Sequence, residues 1–244
     1  MKYKLFALLL CCLFLPAVAF AEITLEDVVA ALEAPFKAGA QVRIHDFQAD
    51  FLQQSHLASI DRVQRGRGDV SFKFATEKAM FRWNYSEPEE QQIISDGTSM
   101  WVYQPENRQV IESDISGVAQ SDNPVTFLSH LGDVSRNFQI GWGAPKTDSN
   151  DNLILQLQPK KASQLIHSLR LTVSRKAVVD FVEHQRSGKY FPILATSLTD
   201  PNGNRTDIEF QSIKQNTGLV TEEFVFLRPQ GVELVRPADS YPGF

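Results

Sequence analysis

The sequence predicts a mainly β, α+β protein built on one antiparallel sheet of about eleven strands, long enough to curl, with helices near the start and middle. Three observations predict this. Apolar and polar residues alternate with period two over most of the chain beyond Ile44. Turn residues separate the alternating segments at roughly ten-residue spacing. Helical spacing of apolar residues appears clearly in only two places, residues 24–36 and 123–131.

The elements follow in order. Thr24-Leu25-Glu26-Asp27 reads as a capped helix start, and Leu25, Val28, Val29, Leu32 and Phe36 continue at helical spacing until Pro35 ends or bends the helix. Phe47, Ala49 and Phe51 then share one strand face, opposite Gln48 and Asp50. Val70, Phe72 and Phe74 repeat the pattern, and Phe81, Trp83 and Tyr85 against Arg82 and Asn84 give the clearest strand of all. Ile93-Ile94, a turn at Asp96-Gly97 and residues 100–103 read as a hairpin, with a further strand at 108–112. Asn123-Pro124 is a helix entry, with Asn as cap and Pro at the first helical position, and Gly132 is the expected stop. Strands are expected again at 138–142, 153–157, 169–173, 178–185, 193–199 and 206–213.

Composition removes several function classes. The chain has 244 residues and a formal net charge of −5, so it has no broad cationic field with which to hold nucleic acid. Both cysteines lie in the first 21 residues. That stretch reads as a secretory leader: a cationic start at Lys2 and Lys4, an apolar run from Leu5, Pro16, and the small-x-small site Ala19-Phe20-Ala21. A lipoprotein leader is rejected because Cys11 follows Leu10 in mid-run. Removal of 1–21 is expected to leave 22–244 as a single, thiol-free, exported domain with a short tail, Ser240-Tyr241-Pro242-Gly243-Phe244. A domain that size buries enough surface to dispense with disulfides.

Enzyme signatures are missing from the sequence. It has no G-x-S-x-G elbow, no H-E-x-x-H, no phosphate-binding glycine loop and no C-x-x-C, and its five histidines are scattered without ligand spacing. The reading is therefore of a protein that is not an enzyme and uses no cofactor and no metal. The positive signal is aromatic residues at alternating strand positions. A broad curled sheet with few helices either packs its concave face with side chains or holds a ligand there.

An ordered set of fragments carries a resemblance. Phe47-x-Ala-x-Phe-x-Gln53, Gly66-x-Gly68, Phe81-Arg82-Trp83-Asn84-Tyr85 with Pro88, and Ile93-Ile94-Ser95-Asp96-Gly97 come first. Trp101-Val102-Tyr103-Gln104-Pro105, Asn123-Pro124 and the closing Phe224-x-Phe226-x-x-Pro229-x-Gly231-Val232 follow. In this order they resemble the outer-membrane lipoprotein carrier family (LolA) over nearly the whole exported chain. The resemblance implies an incomplete antiparallel β-barrel covered by a helical lid. It implies a monomeric periplasmic chaperone that takes acylated lipoproteins from an inner-membrane lipoprotein-releasing ABC transporter to an outer-membrane receptor or equivalent acceptor, without inserting in a membrane. On that reading Phe47, Phe51, Phe72, Phe81, Trp83, Trp101 and Tyr103 line the acyl cavity, and Pro124, Phe127 and Leu128 belong to the lid. One feature departs from the pattern: family members commonly carry a basic residue followed by proline before the Phe-x-Trp strand, where the basic residue can tie the lid shut. Here the stretch is Lys73-Phe74-Ala75-Thr76-Glu77-Lys78-Ala79, which leaves Lys73 and Arg82 as candidate latches, with Lys78 beside them. The alternative function is an envelope module of the same architecture that binds or senses lipid or peptide without shuttling. A third, an exported hydrolase, would need a catalytic cluster that no motif announces.

Overall fold

The computed structural model describes residues 22–37, 39–40, 42–74, 79–116, 127–184 and 188–236. The leader, Pro124, Lys78 and the tail from Ser240 lie outside the described residues. Helix α1 (Leu25–Glu33) starts on a reciprocal cap: Thr24 Oγ1 accepts from the Asp27 N–H at 3.2 Å, and Asp27 accepts the Thr24 N–H at 3.0 Å. Pro35 ends it in a 3₁₀ turn, Ala34–Phe36, as its ring requires.

Six strands follow: β1 (Asp46–Leu57), β2 (Arg62–Phe74), β3 (Ala79–Glu87), β4 (Gln91–Ser95), β5 (Ser99–Gln104) and β6 (Gln109–Asp114). A 3₁₀ segment, Phe127–Asp133, runs into the short helix α2 (Val134–Asn137). Then come β7 (Phe138–Thr147), β8 (Leu153–Pro159), β9 (Ser168–Val173), helix α3 (Arg175–His184), β10 (Ile193–Thr199), β11 (Arg205–Gln215) and β12 (Glu233–Val235).

All twelve strands form one sheet in the order β12-β6-β5-β4-β3-β2-β1-β11-β10-β9-β8-β7. Two meanders, β1–β6 and β7–β11, are joined where β1 pairs with β11. The outer strands β12 and β7 do not pair, so the barrel is incomplete. Every pairing is antiparallel except β12 on β6. The helices cover one face, and the main core lies between them and the sheet, from Val28 and Leu32 of α1 to Leu155 and Leu171 of β8 and β9.

Three sequence expectations need correction. Residues 178–185 were expected as a strand, because Val178-Val179-Asp180-Phe181-Val182 is rich in β-branched and aromatic residues; they lie instead within α3 as far as His184. Helical burial decides the matter: Val178 is fully buried, Phe181 and Val182 pack on the core, and the Ser174 carbonyl accepts the Val178 N–H at 3.2 Å to open the helix. The described part of the expected helix at 123–131 is 3₁₀, broken by non-helical angles at His130, and helical structure continues past Gly132 to Asn137. Gly132 therefore does not act as the helix stop; a Cβ there would make ordinary contact with Phe36, at 3.4 Å from its carbonyl oxygen. Finally, β12 is a strand that no alternation in the sequence announced.

Candidate functional site

The face under the helices is built by register. Phe47 of β1 sits opposite Phe72 of β2, Phe72 sits opposite Phe81 of β3, and Val70 sits opposite Trp83. Side chains at these positions point to the same side of the sheet. Phe47 and Phe72 stack at 5.1 Å between ring centres, Phe72 and Phe81 lie 5.5 Å apart, and Phe51 meets Trp83 edge to face at 5.0 Å. Phe210 of β11 and Phe191 before β10 extend the cluster, Phe191 at 4.2 Å from Phe47. Five of the sequence-predicted residues, Phe47, Phe51, Phe72, Phe81 and Trp83, are thus gathered in one buried aromatic patch. The aliphatic wall opposite comes from Leu155, Leu157, Leu169, Leu171 and Leu198.

The 3₁₀ segment and α2 close this face. Phe127, Leu128, Leu131 and Val134 are all buried, and Phe127 meets Phe138 edge to face at 5.8 Å. A cavity of about 30 Å³ remains between Trp83, Phe127, Leu128, Leu169, Leu198 and Ile208, edged by Thr196 and Thr206. That is room for about one water molecule, so an acyl chain enters only if the covering segment moves.

Polar atoms near the patch are few. The Tyr85 hydroxyl donates to Gln53 Oε1 at 2.8 Å, and burial holds its phenol well above the ordinary tyrosine range. Among the described residues the Trp83 indole Nε1 has no hydrogen-bond partner. Hydrogen bonds tie the cover at Ser135 and Asn137: Glu33 Oε1 accepts the Ser135 N–H at 2.6 Å, Lys160 Nζ donates to the Ser135 carbonyl at 2.9 Å, and the Lys160 N–H donates to the Asn137 carbonyl at 2.9 Å. Glu33 also pairs with Lys37 at 2.7 Å. Sequence reasoning missed this tie, although the signal existed: a carboxylate stands beside the apolar stripe of α1, three residues before Phe36.

Trp101 and Tyr103 lie on the other side of the sheet. Met100 and Val102 supply the inward side chains of β5, whereas Trp101 and Tyr103 pack on Phe226 at 6.1 and 5.7 Å. A C-terminal arm covers them there, forming a second small core with Ile94, Val110, Leu219 and Phe224, all buried. Lys73 and Arg82 share this side. Lys73 Nζ donates to the Leu219 carbonyl, and Arg82 donates to the Glu223 carbonyl at 3.1 Å. Both candidate latches therefore hold the arm, and among the described residues neither bonds to the covering segment. The same outward side carries an open groove of about 730 Å³, where Arg65, Arg67, Arg170, Arg205 and Asp207 stand beside Leu52 and Ile154.

An aromatic inner face, an open sheet and a thin helical cover are the geometry to set against known proteins. The model of the family described as outer membrane lipoprotein carrier protein LolA matches residues 43–227, from before β1 to the arm that covers β3–β6. The chain belongs to this family. An outer-membrane lipoprotein carrier protein of Chromobacterium violaceum is 26% identical over 88% of this chain and 97% of its own length. The protein of that name from Pseudomonas paraeruginosa is 27% identical over 77% of this chain and 80% of its own. Among solved structures, a LolA superfamily protein from Nitrosomonas europaea is 15% identical, with a TM-score of 0.41 over 84% of this chain and 98% of that one. An uncharacterised conserved protein from Thermus thermophilus is 13% identical, with a TM-score of 0.49 over 87% and 98%. Among the described residues no helix is long and apolar enough to cross a membrane.

Proposed function

We propose that this protein is a periplasmic carrier that binds the acyl chains of lipoproteins between the aromatic inner face and the covering segment at 127–137. It takes them from an inner-membrane lipoprotein-releasing ABC transporter and delivers them to an outer-membrane acceptor. Binding and release, rather than catalysis, is the activity. The observation that carries this reading is the conjunction of a buried aromatic face with a cover whose hydrogen bonds to Glu33 of α1 and to Lys160 after β8 gather at its end, at Ser135 and Asn137.

The energetics fit such a role. Each methylene withdrawn from water is worth about 0.8 kcal/mol, so exposing a multiply acylated anchor costs tens of kcal/mol and free diffusion fails. The cover is built to move: a 3₁₀ segment has poorer hydrogen-bond geometry than an α-helix, and this one is interrupted at His130. Pivoting about Ser135 would lift Phe127, Leu128 and Leu131 from the face and let acyl chains take their place. Large aromatic side chains offer apolar area with adaptable edges, which suits a ligand that must also leave.

Titration with a fluorescent fatty-acyl probe tests the reading. Saturable binding, displaced by acylated lipoprotein and weakened by Leu128→Glu, is expected. No saturable binding, or binding indifferent to Leu128→Glu in a variant with unchanged circular dichroism, would contradict it.

A further inference from the structure

Trp83 is 3% exposed, and its indole N–H has no acceptor among the described residues. The rings about it, Phe51 at 5.0 Å, Phe72 at 6.1 Å and Phe210 at 6.3 Å, carry no acceptor atom, and a ring face is at best a weak partner. A buried donor without an acceptor costs about 1–3 kcal/mol, a penalty that phenylalanine at the same place would not carry. The same side chain lines the cavity directly beneath Phe127 and Leu128. The nearby Thr206 hydroxyl is already engaged with Ser55 Oγ at 3.2 Å. An unpaired donor, a largely apolar cavity and a cover therefore meet at Trp83. A hydrocarbon chain brings no acceptor into such a cavity, but the carbonyl oxygen of its ester linkage does.

We propose that the Trp83 indole N–H is a ligand-binding donor that takes the carbonyl oxygen of a fatty-acyl ester. The ester end of a bound chain then sits at Trp83 beneath Phe127 and Leu128, while the methylenes run along Phe72 and Phe81. The orphan donor is satisfied only in the loaded state, which makes the site selective for acyl over alkyl lipids. This inference rests on the carrier reading and adds to it a specificity that apolar burial alone cannot supply.

Competition against a fluorescent fatty-acyl probe tests it, using the purified protein with dilauroyl glycerol and its dilauryl ether counterpart. The wild type should prefer the ester by roughly tenfold, the equivalent of one hydrogen bond. Trp83→Phe should bind ester and ether alike, the ratio of the two affinities falling to about one whatever the change in either. Should Trp83→Phe fail to fold, benzothienylalanine at position 83 keeps the bicyclic shape and removes the N–H, and the same loss of preference is expected. A wild type that binds both lipids without preference, or a Trp83 variant that retains the preference, overturns the inference while leaving the carrier reading standing. Binding of neither lipid overturns both.

Discussion

Glu33 Oε1 accepts the backbone N–H of Ser135 at 2.6 Å, joining α1 to the cover across the aromatic face. Glu33 is almost fully buried while Ser135 is exposed, so the bond is part-buried and its loss forfeits a hydrogen bond to a carboxylate. Glu33→Ala should destabilise the protein by about 1–3 kcal/mol and speed amide exchange selectively at 127–137. Glu33→Gln keeps an acceptor and should retain most of the protection. Unchanged exchange in Glu33→Ala would show that the Glu33 bond does not hold the cover.

A second carboxylate holds the arm on the opposite side. Asp46 is buried and accepts from the Thr217 N–H at 2.7 Å, the Thr217 hydroxyl at 2.9 Å, the Gly218 N–H at 3.0 Å and the Leu219 N–H at 3.3 Å. Gly218 adopts φ +82° here, which an L side chain rarely takes. Asp46→Ala should release the arm, seen as limited proteolysis near residue 218 and a rise in Trp101 solvent quenching. Acyl binding should be affected much less, because the arm does not border the inner face.

The β2–β3 pair depends on Gly68. A Cβ there would lie 1.8 Å from the Asn84 carbonyl oxygen, a backbone atom that cannot step aside. The register of the pair shifts beside it, between Arg67 and Gly68. Gly68→Ala should cost about 3 kcal/mol or more by overpacking, measured by denaturant unfolding, whereas Gly141→Ala meets nothing within 4 Å and should cost far less.

Two groups give the stability a pH signature. Burial alone would raise Asp148, but bonds from the Asn152 side chain and backbone and from the Asn150 N–H outweigh it and hold the carboxyl below its ordinary value of 3.8. Its contribution is therefore present above about pH 4 and lost as pH falls through the depressed value. Tyr85 runs the other way: its contribution is intact below the ordinary tyrosine value of 10.0 and is lost as pH rises above it. Asp148→Asn should flatten the acid limb of a stability profile and Tyr85→Phe the alkaline limb. Parallel limbs in wild type and variant would refute either assignment.

How much of this could be read from the sequence varied by element. The alternation of Phe81, Trp83 and Tyr85 sufficed to place them on one face, because side-chain direction in a strand is fixed by parity. For β5 parity was insufficient. Met100, Trp101, Val102 and Tyr103 are apolar on both sides, as a strand buried on both faces must be, and only the pairing of Ile93 with Val102 decides which pair faces inward. The covering partner, Phe226, stood in the closing fragment of the sequence, yet nothing local tied it to Trp101. The same distance hid β12, whose three residues pair with Gln109, Val110 and Ile111 far back in the chain. Lys73 and Arg82 were legible as outward-pointing cations beside an aromatic strand, but the carbonyls they meet belong to the arm. In α3, Val178 and Val182 one turn apart allowed a helix, and strand propensity at β-branched positions obscured it.

Site-specific photo-crosslinking tests the central claim most directly. A photoreactive phenylalanine is placed at Phe81, at Leu128 or at Tyr103, and the protein is illuminated in cells that are making acylated lipoproteins. The account predicts lipoprotein adducts from Phe81 and Leu128, through the acyl moiety, and none from Tyr103 beneath the arm. Adducts from Tyr103 with none from the other two positions would place the cargo on the opposite side of the sheet and contradict the account.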